Sequence, residues 1–290
     1  MVVAPVLWST AGVVTRHIER AQPFEQVFWR SLFAFLFVFA ILGFKGSAVK
    51  ALRAAGRPGL LSGALWALMF STFVIALSLT STANTLVVMS IGPLLTALLA
   101  WIVLKEPAPV RTWIATGASA LGIAWMAAAG FGTHGTRDIA GMLVALTVPI
   151  AAATNFVTLR AVAVRSRHAP VDLVPAVMLG GLISCLIALP LALPLSAGGR
   201  DIALLAFLGI FQLGLPCMLM VMASRSLRAP EIALLGLLEV VLGPLWAWLG
   251  AGEVPASATL LGGAVVLAAL AGNELAALRR RTAAAPAGFS

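Results

Sequence analysis

Long apolar runs, each close to a bilayer in length and separated by short polar joints, fill the sequence from end to end. A helix rises about 1.5 Å per residue, so about 20 apolar residues cross the hydrocarbon layer. Cutting the pattern at charges, Pro and Gly predicts ten helices, roughly over residues 2–16, 24–44, 59–80, 83–104, 110–131, 139–159, 171–194, 201–223, 231–250 and 256–276. The first run is short for a span: either that helix thins the bilayer locally or the natural start lies upstream. No joint has room for a soluble domain, and the N-terminal run lacks the basic leader and small-residue cleavage pattern of a signal peptide.

The pattern also repeats. Asn84 to Trp113 reads as a helix, a Lys105-Glu106-Pro107 break and the start of another helix, and Glu231 to Leu260 does the same. In that register Trp101 falls on Trp248, Glu106 on Glu253, and Pro93 on Val240 beside Pro244. Ten spans in two repeats leave five per repeat. Five is odd, so the second half must enter the membrane from the opposite face, the arrangement of many secondary transporters. The expected fold is therefore all-α and integral to the membrane. Two inverted five-helix repeats, 1–131 and 139–278, precede a short cytoplasmic tail, 279–290.

Composition fixes the solvent. Hydrophobic residues make up 61% and charged residues 10%, against about 25% charged in a soluble domain, so lipid is the expected partner. A net charge of +9 would suggest nucleic acid in a soluble protein. Here the basic residues lie between apolar runs and read as topology. With the N-terminus inside, 14 Lys and Arg fall in cytoplasmic joints, and Arg16, Arg20, Arg137 and Arg200 fall outside. Both termini are thus expected in the cytoplasm. Cys185 and Cys217 sit in apolar runs, and His17, His134 and His168 share no ligand spacing, so no disulfide framework, metal or other cofactor is indicated.

Several features together carry a resemblance: Trp8-Ser9-Thr10 in span 1, Arg30 in span 2, Gly92-Pro93 through Glu106 in span 4, and Leu238-Glu239 through Glu253 in span 9. In this order, over nearly the whole chain, they resemble the EamA-type branch of the drug/metabolite transporter superfamily. The Leu-Trp-Ser-Thr opening looks most like its YddG-type amino-acid exporters. That resemblance implies export of aromatic and other amino acids from the bacterial cytoplasm through the inner membrane. Val240 departs from the family pattern, which has a proline directly after Glu239; Pro244, one turn later, is the candidate source of the kink.

Polar groups at membrane depth are costly unless paired or wetted, so each is a functional candidate. Glu239 lies about 13 Å into span 9. Its carboxyl suits a substrate ammonium or a coupling proton, or a neutral bond between helices. Arg30 reads as a snorkelling side chain, a partner of Glu25 or a helix end, or a substrate contact. Asn84, Asn155 and Gln212 either hold helices together or line a wet cavity. Trp8 and Trp246 are interior enough for an aromatic wall beside Ser9, whereas Trp101 and Trp248 fit interfacial anchoring. Glu106 and Glu253 close helices at opposite faces and suit anchoring or capping. Pro93, Pro149, Pro216 and Pro244 interrupt inner spans and predict kinks. Spans 1, 3, 4, 6, 8 and 9 are thus expected around a central cavity. Spans 5 and 10 are expected to be scaffold, with Ala118-x₃-Gly122 and Ala268-x₃-Gly272 allowing close approach.

The expected function is alternating-access export of small metabolites, amino acids first and cationic drugs or sugars second. A non-transporting scaffold or a lipid-modifying enzyme is the competitor from another class. No Gly-rich phosphate loop, hydrolytic triad or His-Glu-x-x-His run is present, so no enzyme activity is expected. The oligomeric state is left open.

Overall fold

The computed structural model describes residues 1–44, 46–80, 85, 88–89, 91–128, 136–165, 171–251 and 257–283. Among these there is no strand. The helices are α1 (Val3–Trp8), α2 (Ala11–Thr15), α3 (Pro23–Phe44), α4 (Ala48–Leu79), α5 (Gly92–Leu104), α6 (Val110–Ala128), α7 (Thr136–Arg165), α8 (Val174–Ala192), α9 (Gly199–Phe207), α10 (Leu215–Ala223), α11 (Ala229–Gly236), α12 (Leu238–Ala251) and α13 (Ser257–Ala283). A π-helical segment, Leu208–Gly214, joins α9 to α10. Six runs are long and apolar enough to cross a bilayer: α3, α4, Ile139–Arg165, α8, Gly199–Ala223 and Ala229–Gly250. Val3–Thr15, Gly92–Leu104 and Leu261–Asn273 are shorter apolar helices.

Local chemistry explains where these helices start, bend and stop. The first predicted span is divided because the Ser9 hydroxyl donates to the Val6 carbonyl (2.6 Å) and Thr10 to Leu7 (2.7 Å). Such back-bonding competes with the helical ladder. α4 begins earlier than predicted, with a polar turn that is set off by Gly56 at φ 57° and then Pro58; only glycine adopts that φ readily. α5 ends where Lys105 turns left-handed at φ 54°, its N–H reaching the Trp101 carbonyl, which explains the Lys-Glu-Pro break.

The centre of the molecule is a packed group of α3, α4, α7 and α8. Trp66, Phe70, Val38, Val177 and Phe156 are buried there in one cluster. Small residues let the backbones meet. A Cβ on Gly180 would collide with that of Trp66, and one on Gly181 would lie 3.0 Å from the Ser31 carbonyl. To one side, α6 pairs with α13, as expected of a scaffold. The details differ from expectation. A Cβ on Gly122 would lie 2.8 Å from the Gly262 carbonyl, whereas one on Gly272 would meet nothing within 4 Å among the described residues. Gly262, a position the small-x₃-small spacing did not pick out, takes the role assigned to Gly272.

Ion pairs join Arg160 to Glu106 (3.4 Å), Arg111 to Glu231 (3.8 Å), Arg225 to Asp172 (2.9 Å) and Arg200 to Glu19 (2.6 Å).

Candidate functional site

α1, α3, the π segment, α10 and α12 converge in the interior. α12 turns one stripe toward the first span. Glu239, Gly243, Trp246 and Gly250 follow at helical spacing and so share a face. On that face the Trp246 indole donates to Ser9 Oγ (2.7 Å). A Cβ on Gly243 would lie 4.0 Å from the Ser9 carbonyl, and one on Gly250 2.7 Å from Val13. Glu239 is half-buried, at the deep end of this stripe. Among the described residues no hydrogen bond or ion pair engages its carboxyl. Cys217 of α10, which the sequence marked as a buried hydrophobe, is buried in the bundle.

On the opposite wall, α3 lies directly against the π segment. A Cβ on Gly209 would stand 2.6 Å from the Arg30 carbonyl, and one on Gly214 2.9 Å from the Phe37 ring. Between those two glycines the wider π turn places Gln212 opposite Arg30. Arg30 Nη2 donates to Gln212 Oε1 at 2.7 Å, and Gln212 Nε2 donates to the Trp8 carbonyl at 3.4 Å. The Leu215 N–H reaches Ile210 five residues back, and α geometry resumes over Pro216, which has no N–H to give. Pro216 therefore ends a π segment instead of kinking an α-helix. Single π turns within helices are frequent at functional sites.

Arg30 is 5% exposed. It neither reaches the interface nor pairs with Glu25, which has other partners. Glu25 accepts from the Ser196 and Ala197 N–H groups, Ser196 Oγ and the Trp29 indole. Asp201 reciprocates, accepting from the backbone N–H groups of Glu19, Arg20 and Ala21. These two carboxylates fasten the joint before α3 to the joint before α9. The pairs Arg160–Glu106 and Arg111–Glu231 likewise tie residues before 131 to residues after 139.

The remaining candidates are dispersed. Asn155 is fully buried but belongs to a separate cluster, accepting from Ser62 Oγ at 2.6 Å. Its Nδ2 and the indole N–H of Trp66, one turn along α4 from Ser62, are buried donors with no acceptor among the described residues. Trp101 and Trp248 are exposed on the outside of the bundle, where lipid would lie. Glu106 anchors Arg160, as a helix-end carboxylate should. Pro93 stands at the first turn of α5, where its missing N–H costs nothing, so it starts a helix there. Pro149 lies inside α7, against Gly92 (3.6 Å from a Cβ there), and Pro244 within α12. Asn84 and Glu253 lie outside the described residues.

Helices of this length and hydropathy around a polar interior define a multi-pass membrane protein. The EamA-like transporter family matches residues 1–128 and again 139–273, and the chain belongs to that family. A solved structure with 20% sequence identity superposes at a TM-score of 0.76, covering 96% of each chain, which shows a common fold. No curated protein matches by sequence.

Proposed function

We propose that this protein exports amino acids across a bacterial inner membrane by alternating access, as a ten-span carrier of two inverted five-helix repeats, 1–131 and 139–278. The observation that carries this reading is the half-buried Glu239 carboxyl. It sits without a hydrogen-bond or ion-pair partner among the described residues, on the α12 stripe that meets Ser9. A bare carboxylate on the same helix face as Trp246 suits an ammonium attached to an apolar or flat side chain. A proton competes with the ammonium for the same oxygens, which would couple export to proton entry. Two further observations support the alternation. The halves are tied at one face by Glu25 and Asp201 and at the other by Glu106–Arg160 and Arg111–Glu231. Releasing one set while holding the other opens the interior to one side at a time.

Cationic drugs are the second reading, because the same carboxylate and indoles would serve an amine without a carboxylate. Counterflow in proteoliposomes tests the proposal. Vesicles loaded with unlabelled phenylalanine or leucine should accumulate the labelled amino acid, and Glu239→Gln should abolish accumulation. Folded protein that accumulates neither amino acid overturns the reading.

A further inference from the structure

Arg30 carries a charge that the structure leaves unanswered. The guanidinium is always protonated and presents five N–H donors in a fixed fork. One nitrogen, Nη2, meets Gln212 Oε1, while Nε is buried with no acceptor among the described residues. Gln212 is neutral, and none of the ion pairs among the described residues includes Arg30. A buried cation with no counter-ion is strongly unfavourable, and a cation without a use is replaced at no loss by an apolar side chain. The local structure instead invests in this group. Gly209 and Gly214 bring α3 onto the π segment, and the π turn between them presents Gln212 to the guanidinium. Gln212 is in turn fixed by the Trp8 carbonyl. The fork is thus oriented, and its buried Nε keeps an unmet donor, which a planar anion would satisfy.

The opposite charge is equally unanswered. Glu239 and Arg30 do not pair with each other, yet both stand on walls that meet the first span: Arg30 is joined through Gln212 to the Trp8 carbonyl, and Glu239 shares the α12 stripe whose Gly243 and Trp246 meet Ser9. Two complementary, unpaired charges flanking one interior locus match a molecule that carries both charges itself. From this geometry we infer that Arg30, oriented by Gln212, is the subsite for the substrate's carboxylate, with Glu239 taking the ammonium. The side chain of the amino acid then lies toward Trp8 and Trp246. The inference rests on the export reading above and sharpens it. Specificity for amino acids over the corresponding amines resides in Arg30, because removing the carboxylate from the substrate leaves that charge buried and unmet.

The test uses the full chain in proteoliposomes, with competition against labelled phenylalanine in counterflow. The competitors are phenylalanine, phenylalaninamide and phenethylamine, which share the ring and the amine and differ at the carboxylate. Wild-type protein should favour phenylalanine over both others by tenfold or more. Arg30→Gln should compress that preference to within threefold by weakening phenylalanine alone, while phenethylamine keeps its potency. Gln212→Leu should raise the apparent KM for phenylalanine several-fold and leave phenethylamine unchanged, as expected of a positioning residue. Equal competition by all three compounds in wild-type protein overturns the inference without any variant, so a misfolded Arg30→Gln protein does not obscure the answer. Parallel loss of phenylalanine and phenethylamine in folded Arg30→Gln also overturns it, by making Arg30 structural. Failure of wild-type protein to accumulate any amino acid instead removes the export reading and this inference with it.

Discussion

Replacing Glu25 with alanine should loosen the joint between α3 and α9 by an amount the geometry allows to be estimated. Glu25 is fully buried and receives Ser196 N–H at 3.0 Å, Ala197 N–H at 2.8 Å, Ser196 Oγ at 2.8 Å and the Trp29 indole at 3.3 Å. Hydrogen bonds to a charged group contribute about 1.5–3 kcal/mol each when lost singly. Ser196 is exposed, so water replaces part of what alanine removes, and the bonds share one acceptor and do not add fully. Counting the two short bonds at the lower end gives about 3 kcal/mol. At about 2–4 °C per kcal/mol for a protein of this size, the melting temperature should fall by about 6–12 °C. Glu25→Gln keeps one acceptor oxygen and should lose about half as much. Following indole fluorescence of the purified protein through a thermal ramp measures both. A Glu25→Ala protein melting within about 2 °C of wild type would refute the reasoning, since the carboxylate would then not hold the joint before α9.

Further outcomes follow from the same contacts. Gly180→Ala places a Cβ against that of Trp66 and close to the Gly63 carbonyl, with no flexible side chain to yield. It should destabilise by about 1–3 kcal/mol, read in the same thermal ramp, by prising α4 from α8. Gly209→Ala intrudes on the Arg30 carbonyl and the Phe33 Cβ, and should raise the KM for amino acids in counterflow by shifting Gln212 away from Arg30. Ser9→Ala frees the Trp246 indole and should alter the ranking of aromatic over aliphatic substrates, with folding preserved. Glu239→Gln should make any remaining flux independent of pH; a retained pH profile would place the proton elsewhere.

The sequence reading located nearly every helix among the described residues, because bilayer length and hydropathy constrain spans strongly. Less legible were features that depend on neighbours distant in sequence. Arg30 meets Gln212 across 182 positions, and no local pattern announces that pairing. The π segment was hidden because Gly209, Gly214 and Pro216 read equally well as an ordinary apolar helix with a kink. Ser9 and Thr10 could have signalled the break in the first span, since hydroxyls bonding back to helical carbonyls compete with the ladder. The Gly262 contact escaped because small residues are abundant throughout these helices, so spacing alone does not select the pair that touches. Glu25 and Asp201 stand at helix starts, and their backbone partners are loop N–H groups on the other half of the chain.

The most direct test of the account is whether the locus around Ser9 is reached from both faces and occupied by substrate. A Ser9→Cys protein with Cys185 and Cys217 replaced by alanine, retaining counterflow, would be treated with a membrane-impermeant maleimide from each side in oriented vesicles. The account predicts modification from both faces in turn, slowed severalfold by phenylalanine. Modification from one face alone, or at a rate indifferent to every amino acid, would contradict it.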